Sequence, residues 1–178
     1  VRLLYVAGRG FDTRAQTVMS EFVGNLKLTG AHVERADLLL IRFTAYHLDD
    51  ALKQETETTA GARPDTFQSL GGHGTVSIGP SAEGEDDLTA TNALRLGADE
   101  VLAAVTDQTD IVLDVSTLPR VAYLGLLTGL LEKLVPDKAS PDALWAKGVN
   151  FQVLVAEDAW LDGQIRSEDP SNDLVLIP

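Results

Sequence analysis

Leu3-Leu4-Tyr5-Val6-Ala7-Gly8-Arg9-Gly10-Phe11-Asp12-Thr13-Arg14 is the stretch that decides the fold. A short apolar run stops at two glycines, and the polar Asp12-Thr13-Arg14 opens an amphipathic segment. That order is the pattern of the first strand, turn and helix of an α/β nucleotide-binding sheet. The glycines let the backbone turn sharply and let a ligand come close. The helix that follows aims free N–H groups at the crevice, which favours an anionic group.

Outward from this stretch, Val18, Met19, Phe22, Val23 and Leu26 recur at helical spacing and predict a helix over residues 14–28. Asp12 or Thr13 is its natural cap and Gly30 its stop. Asp37 to Phe43 is nearly all apolar and reads as a strand buried on both faces. Residues 48–58 form a polar helix. From Thr59 to Leu88 the periodicity is lost. Gly71-Gly72-His73-Gly74 reads as a turn or flexible loop, Thr75–Ile78 as a short strand, and Ser81–Asp87 as an acidic loop. The expectation for Thr59–Asp87 is a mobile segment bordering the crevice.

Leu88–Thr106 is the next helix, followed by a strand over Asp110–Val115. Ser116 or Thr117 caps the apolar helix Val121–Val135, with Pro119 in its first turn. A short helix from Ser140 to Gly148, a buried strand over Asn150–Ala156 and a last strand over Leu174–Ile177 complete the chain. Strands alternating with helices imply a Rossmann-like α/β three-layer sandwich with a mostly parallel central sheet. The strands at Leu3, Leu38, Ile111 and Phe151 are expected side by side at its centre.

At 178 residues and 44% apolar content, the chain has the size and composition of one domain, residues 1–178, with a substantial core. The abrupt ending of the last strand reads as a fragment of a longer protein, or one part of an assembly with other domains or subunits. Fourteen basic against 27 acidic residues give a net charge of −13. Such a surface repels phosphate backbones and anionic lipid, so neither nucleic acid nor a membrane is an expected partner. Any anion must be held by locally concentrated arginines. There is no cysteine, hence no disulfide and no thiolate chemistry, which fits a cytoplasmic protein. No apolar run approaches the roughly 20 residues of a membrane span.

The polar clusters Gly8–Arg14, Asp114–Arg120 and Glu157-Asp158 each follow a strand, as do Thr44, Tyr46 and His47. In a parallel sheet these carboxyl ends share one edge, where ligands bind at the switch point of strand order. Gly8, Gly10, Asp12, Arg14, Asp114, Ser116 and Arg120 are therefore the candidate ligand-binding residues. Arg14 and Arg120 sit near helix starts, where the dipole disfavours a cation unless an anion is near. Asp114, Glu157 and Asp158, with Glu168 and Asp169 behind them, are candidates to bind a ribose, hold a metal or serve as a general base. Each also reads as an ordinary turn or cap residue. His32 reads as structural, His73 as a loop histidine, and Trp145 and Trp160 as packing residues. No metal spacing stands out.

The dinucleotide fingerprint wants a third glycine where Thr13 stands and an acid where Arg42 and Phe43 stand, which disfavours NAD or FAD in the usual mode. There is no Gly-Lys-Ser/Thr of a phosphate loop. Gly8-Arg9-Gly10-Phe11-Asp12-Thr13-Arg14-Ala15 resembles the first motif of the leucine carboxyl methyltransferase-like family of S-adenosylmethionine enzymes. The resemblance implies that Gly8 and Gly10 line that cofactor and that Arg14 holds its carboxylate. Three readings stand: a domain binding a nucleotide or similar anionic small molecule, as a sensor or as the catalytic part of an assembly; an S-adenosylmethionine-dependent methyltransferase; and a structural or protein-interaction domain.

Overall fold

A computed structural model describes residues 1–10, 13–43, 50–67, 73–78, 97–135 and 148–156 of the chain. In chain order its elements are β1 (Arg2–Gly8), α1 (Thr13–Leu28), β2 (Arg35–Phe43), α2 (Asp50–Phe67), β3 (His73–Ile78), α3 (described over 97–104), β4 (Asp110–Asp114), α4 (Arg120–Leu134) and β5 (Asn150–Leu154). The strands form one sheet in the order β3-β2-β1-β4-β5, and every pairing is parallel. Tyr5 of β1 lies opposite Leu38 on one side and Val112 on the other. The strands at Leu3, Leu38, Ile111 and Phe151 are contiguous as expected, although the Phe151 strand ends the described order instead of lying at its centre.

Central β1 is apolar on both faces because both are covered. Leu3, Tyr5 and Ala7 face one way and pack with Leu38, Leu40 and Val112 under Met19 and Val23 of α1. Leu4 and Val6 face the other way, with Ile41, Ile111 and Leu113, under Val101 of α3 and Leu126, Leu130 and Leu134 of α4. On the first face, α2 lies beside α1 and against β2. Helices on both faces of a parallel sheet make the Rossmann-like three-layer sandwich. Helix α1 stops at Gly30, whose φ of 67° is left-handed, where glycine carries no side-chain penalty.

Two expectations are corrected. The loss of periodicity expected from Thr59 onward gives way to regular structure at two places. Residues 59–67 continue α2, and His73–Ile78, including the predicted turn residues His73 and Gly74, is a strand paired with β2 from Leu38 to Phe43. Residues 68–72 and 79–87 lie outside the described residues. The helix persists because Thr56 and Ala60 are buried, and packing of one face outweighs poor local propensity. The strand Asn150–Ala156 was expected to be buried and is instead half open. Among the described residues β5 pairs only with β4, and Val153 and Val155 are 42% and 62% exposed. The predicted short helix from Ser140, apart from Gly148, and the last strand lie outside the described residues.

Candidate functional site

The strand order reverses direction between β1 and β4, so the loops after Gly8 and Asp114 leave the same edge of the sheet. A crevice at that edge is where open α/β sheets take their ligands. The two loops here are in direct contact. The Thr117 hydroxyl donates to the Gly8 carbonyl at 2.8 Å. A Cβ added to Gly8 would stand 2.7 Å from both the carbonyl carbon and Oγ1 of Thr117, and one on Gly10 would stand 3.0 Å from Thr117 Cβ. Both glycines thus admit the protein's own β4–α4 loop. Thr117 had been a candidate helix cap. The N-cap of α4 is Pro119, which offers no side-chain hydrogen bond, and the Thr117 hydroxyl is engaged with Gly8.

Asp114 is fully buried. Its Oδ2 accepts from the Tyr5 hydroxyl at 2.8 Å and its Oδ1 from the Ser116 amide at 3.0 Å. Both oxygens therefore have donors, as a buried carboxylate requires. Ser116 Oγ accepts from the Ala156 amide at 3.0 Å, and the Val115 amide donates to Leu154 at 3.0 Å. The turn after β4 is braced on three sides: by Tyr5 from β1, by Gly8, and by the end of β5.

Arg14 is half-buried in the first turn of α1 and is engaged with its surroundings. Arg120 is the exposed first residue of α4. Neither helix has an acidic residue in its first turn. Gly8, Gly10, Asp114 and Ser116 are gathered into one loop cluster, with the two arginines on the helices that leave it. Asp12, Glu157, Asp158, Thr44, Tyr46, His47, Glu168, Asp169, Trp145 and Trp160 lie outside the described residues. His32 is exposed and its carbonyl accepts from the Val1 amine.

A second cation cluster escaped sequence reasoning. Arg9 follows β1, donating its amide to the Ile41 carbonyl at 2.7 Å, and its guanidinium pairs with Glu57 Oε2 on α2. Arg42, near the end of β2, donates Nη2 to the other oxygen of Glu57 at 2.9 Å. The Arg9 side chain is 19% exposed and that of Arg42 46%. Arg9 Nε is buried and has no acceptor among the described residues. The available signal was strand periodicity. Arg42 shares a face with Leu38 and Leu40, and Arg9 continues the alternation of Leu3, Tyr5 and Ala7, so both project toward the α1–α2 layer.

At the opposite edge a cavity of about 410 Å³ lies beneath the end of α1, lined by Leu3, Phe22, Leu26, Ile111, Asp110 and Asn150 among others. It has no Lys or Arg in its wall, and the Asn150 amide occupies Asp110 Oδ1 at 3.1 Å. Among the described residues no group of His, Asp and Glu is arranged to hold a metal ion, and no helix is long and apolar enough to cross a membrane. Comparison with protein-family models, with curated proteins and with solved structures gives no match to this chain.

Proposed function

We propose that the chain binds a nucleotide or similar anionic small molecule at the carboxyl edge of its sheet, as the ligand-binding domain of a sensor or of a catalytic assembly. The observation that carries this reading is the all-parallel order β3-β2-β1-β4-β5, whose reversal opens the loops after β1 and β4 on one edge. The helices leaving those loops support it further. Their first turns hold Arg14 and Arg120 and no carboxylate, and a helix start favours an anion. A phosphate or carboxylate would take forked hydrogen bonds from the guanidiniums and N–H groups from the helix starts.

Mass spectrometry of small molecules released on denaturing the purified protein is the direct test, followed by calorimetric titration with ADP. Arg14→Ala removes a charge-assisted contact of about 1.5–3 kcal/mol, a ten- to hundredfold loss of affinity. Unchanged affinity in a folded Arg14→Ala protein would refute the assignment of that arginine. The methyltransferase reading, which rests on the Gly8–Ala15 motif, uses the same edge. Binding of S-adenosylhomocysteine in the same titration would favour it over a nucleotide.

A structural domain is the second reading, and one observation favours it. Thr117 occupies the notch that the glycines leave, and Asp114 is satisfied by Tyr5 and Ser116. On that reading the turn residues serve the fold alone, and both the mass spectrum and the titrations come up empty.

A further inference from the structure

We infer that the cavity at the amino edge of the sheet is a second ligand site, independent of the one proposed above, and that it takes a small organic ammonium ion carrying an apolar body. Strand register puts its polar groups in place. Leu3, Asp110 and Asn150 lie opposite one another on β1, β4 and β5, and Tyr5, Val112 and Gln152 form the next row on the same face. Leu3, Tyr5 and Val112 pack toward α1, so Asp110, Asn150 and Gln152 share the α1 face. The same strands give Ile111, Leu113 and Phe151 to the other face. A covered face of a parallel sheet is ordinarily apolar throughout. Here it turns polar where Phe22 and Leu26 of α1 line a cavity of about 410 Å³, a volume in the range of small-molecule sites.

Two features set the charge of the site. Asp110 is half-buried, and its Oδ2 accepts from the Thr109 hydroxyl at 2.7 Å and its Oδ1 from the Asn150 side-chain amide at 3.1 Å. Those neutral donors hold the carboxylate in place and leave a lone pair on each oxygen for a further donor. Glu34, Asp37 and Asp107 each pair with Arg2 or Arg35, whereas Asp110 has no cation partner among the described residues. The second feature is the end of α1. Asn25 and Leu26 belong to its last turn, and a helix C-terminus carries partial negative charge, which favours a cation. Asn150 spends its Nδ2 on Asp110, so its Oδ1 is a second acceptor beside the carboxylate. The Val1 amine also belongs to the wall, but it donates to the His32 carbonyl at 2.6 Å and leaves Asp110 unpaired. A net charge of −13 draws cations toward the protein in general, and the apolar wall of Leu3, Phe22 and Leu26 selects one with a hydrophobic body.

The test titrates the intact chain with phenethylamine, phenethyl alcohol and phenylacetate, which share an apolar body and differ in the head group. Amide NMR spectra follow the binding at about 150 mM salt, where general attraction by net charge is screened. The amine is expected to bind saturably and about tenfold more tightly than the alcohol or the acid. It should move the side-chain amide signals of Asn150 and Gln152 and leave the backbone amides of Gly8 and Gly10 in place. Asp110→Asn, which keeps the shape and removes the charge, should bring the amine down to the affinity of the alcohol. Leu26→Trp, which fills the apolar side of the cavity, should abolish binding of the amine. Thermal unfolding checks that both variants fold, and either one alone decides the matter. Equal binding of amine and alcohol overturns the inference, as does an amine preference that survives Asp110→Asn or Leu26→Trp. Shifts confined to Gly8 and Gly10 overturn it too, since the amine would then sit at the carboxyl edge. Absence of saturable amine binding overturns the second site and leaves the nucleotide reading standing, because ADP is titrated against the other edge.

Discussion

At Gly8 the missing side chain is what lets two loops meet. Alanine there would drive its Cβ into the Thr117 backbone, which cannot move without shifting the start of α4. Gly8→Ala is expected to destabilise the fold by about 1–3 kcal/mol, an overpacking cost. Gly10→Ala meets a side-chain methine at 3.0 Å and should cost less, since a few tenths of an ångström suffice. Urea unfolding of both variants checks the order, and equal stabilities would mean the loop contact is not what requires Gly8. The Tyr5 hydroxyl carries a second prediction. Tyr5→Phe leaves a fully buried Asp114 oxygen without its donor and should cost about 1–3 kcal/mol. In a double-mutant cycle with Asp114→Ala, the two changes should couple, because each removes the same hydrogen bond.

Among the elements, α4 gives the cleanest contrast between core and surface. Leu126 is 1% exposed and Leu131 39%. Leu126→Ala should cost about 2–5 kcal/mol and Leu131→Ala well under that, read from the shift in the denaturation midpoint. Elements of this kind were legible because one side of each must be apolar. The predicted helices over 14–28 and Val121–Val135 fall within one residue of α1 and α4, and the predicted strand at Asp110 starts where β4 does. The end of α2 was not legible. Gly61 and Pro64 disfavour a helix on local propensity, while the burial of Thr56 and Ala60 supports one. Strand β3 was half legible, since pairing with β2 draws His73 and Gly74 into the sheet and nothing local does. Amides of His73–Ile78 that donate to β2 should therefore exchange more slowly than exposed amides of α2, and fast exchange throughout would contradict the pairing. The Arg9–Glu57–Arg42 trio was invisible for a similar reason: Arg9 and Glu57 lie 48 residues apart and meet only when α2 packs beside α1.

For the whole molecule, the α/β class followed from alternation, while the order β3-β2-β1-β4-β5 came only from the pairing of distant strands. Of the residues that alternation placed on one edge, Gly8, Gly10, Asp114 and Ser116 lie together there, with Arg14 and Arg120 on the helices that leave them, while Asp12, Glu157 and Asp158 fall outside the described residues. What they contact first was not readable, because Thr117 looks like any helix-capping threonine until β4 lies beside β1. The charge balance belongs to this scale too. With −13 overall, the protein should give no mobility shift with duplex DNA at near-physiological salt. A clear shift would reveal a basic surface that the composition hides.

The central place of β1 has a consequence for the order of events in time. β1 leaves the ribosome before both of its neighbours, and long before the second of them: the Arg2 amide meets the Thr109 hydroxyl across 107 residues of chain. Until β4 is synthesised, β1 has β2 on one side and an open row of backbone donors and acceptors on the other. Closing that gap means bringing together segments far apart in the chain, which makes such sheets slow to fold, on the order of milliseconds to seconds. Chains halted before Asp110 should accordingly aggregate through the bare flank of β1, whereas chains released past β5 have β4 in hand to cover it.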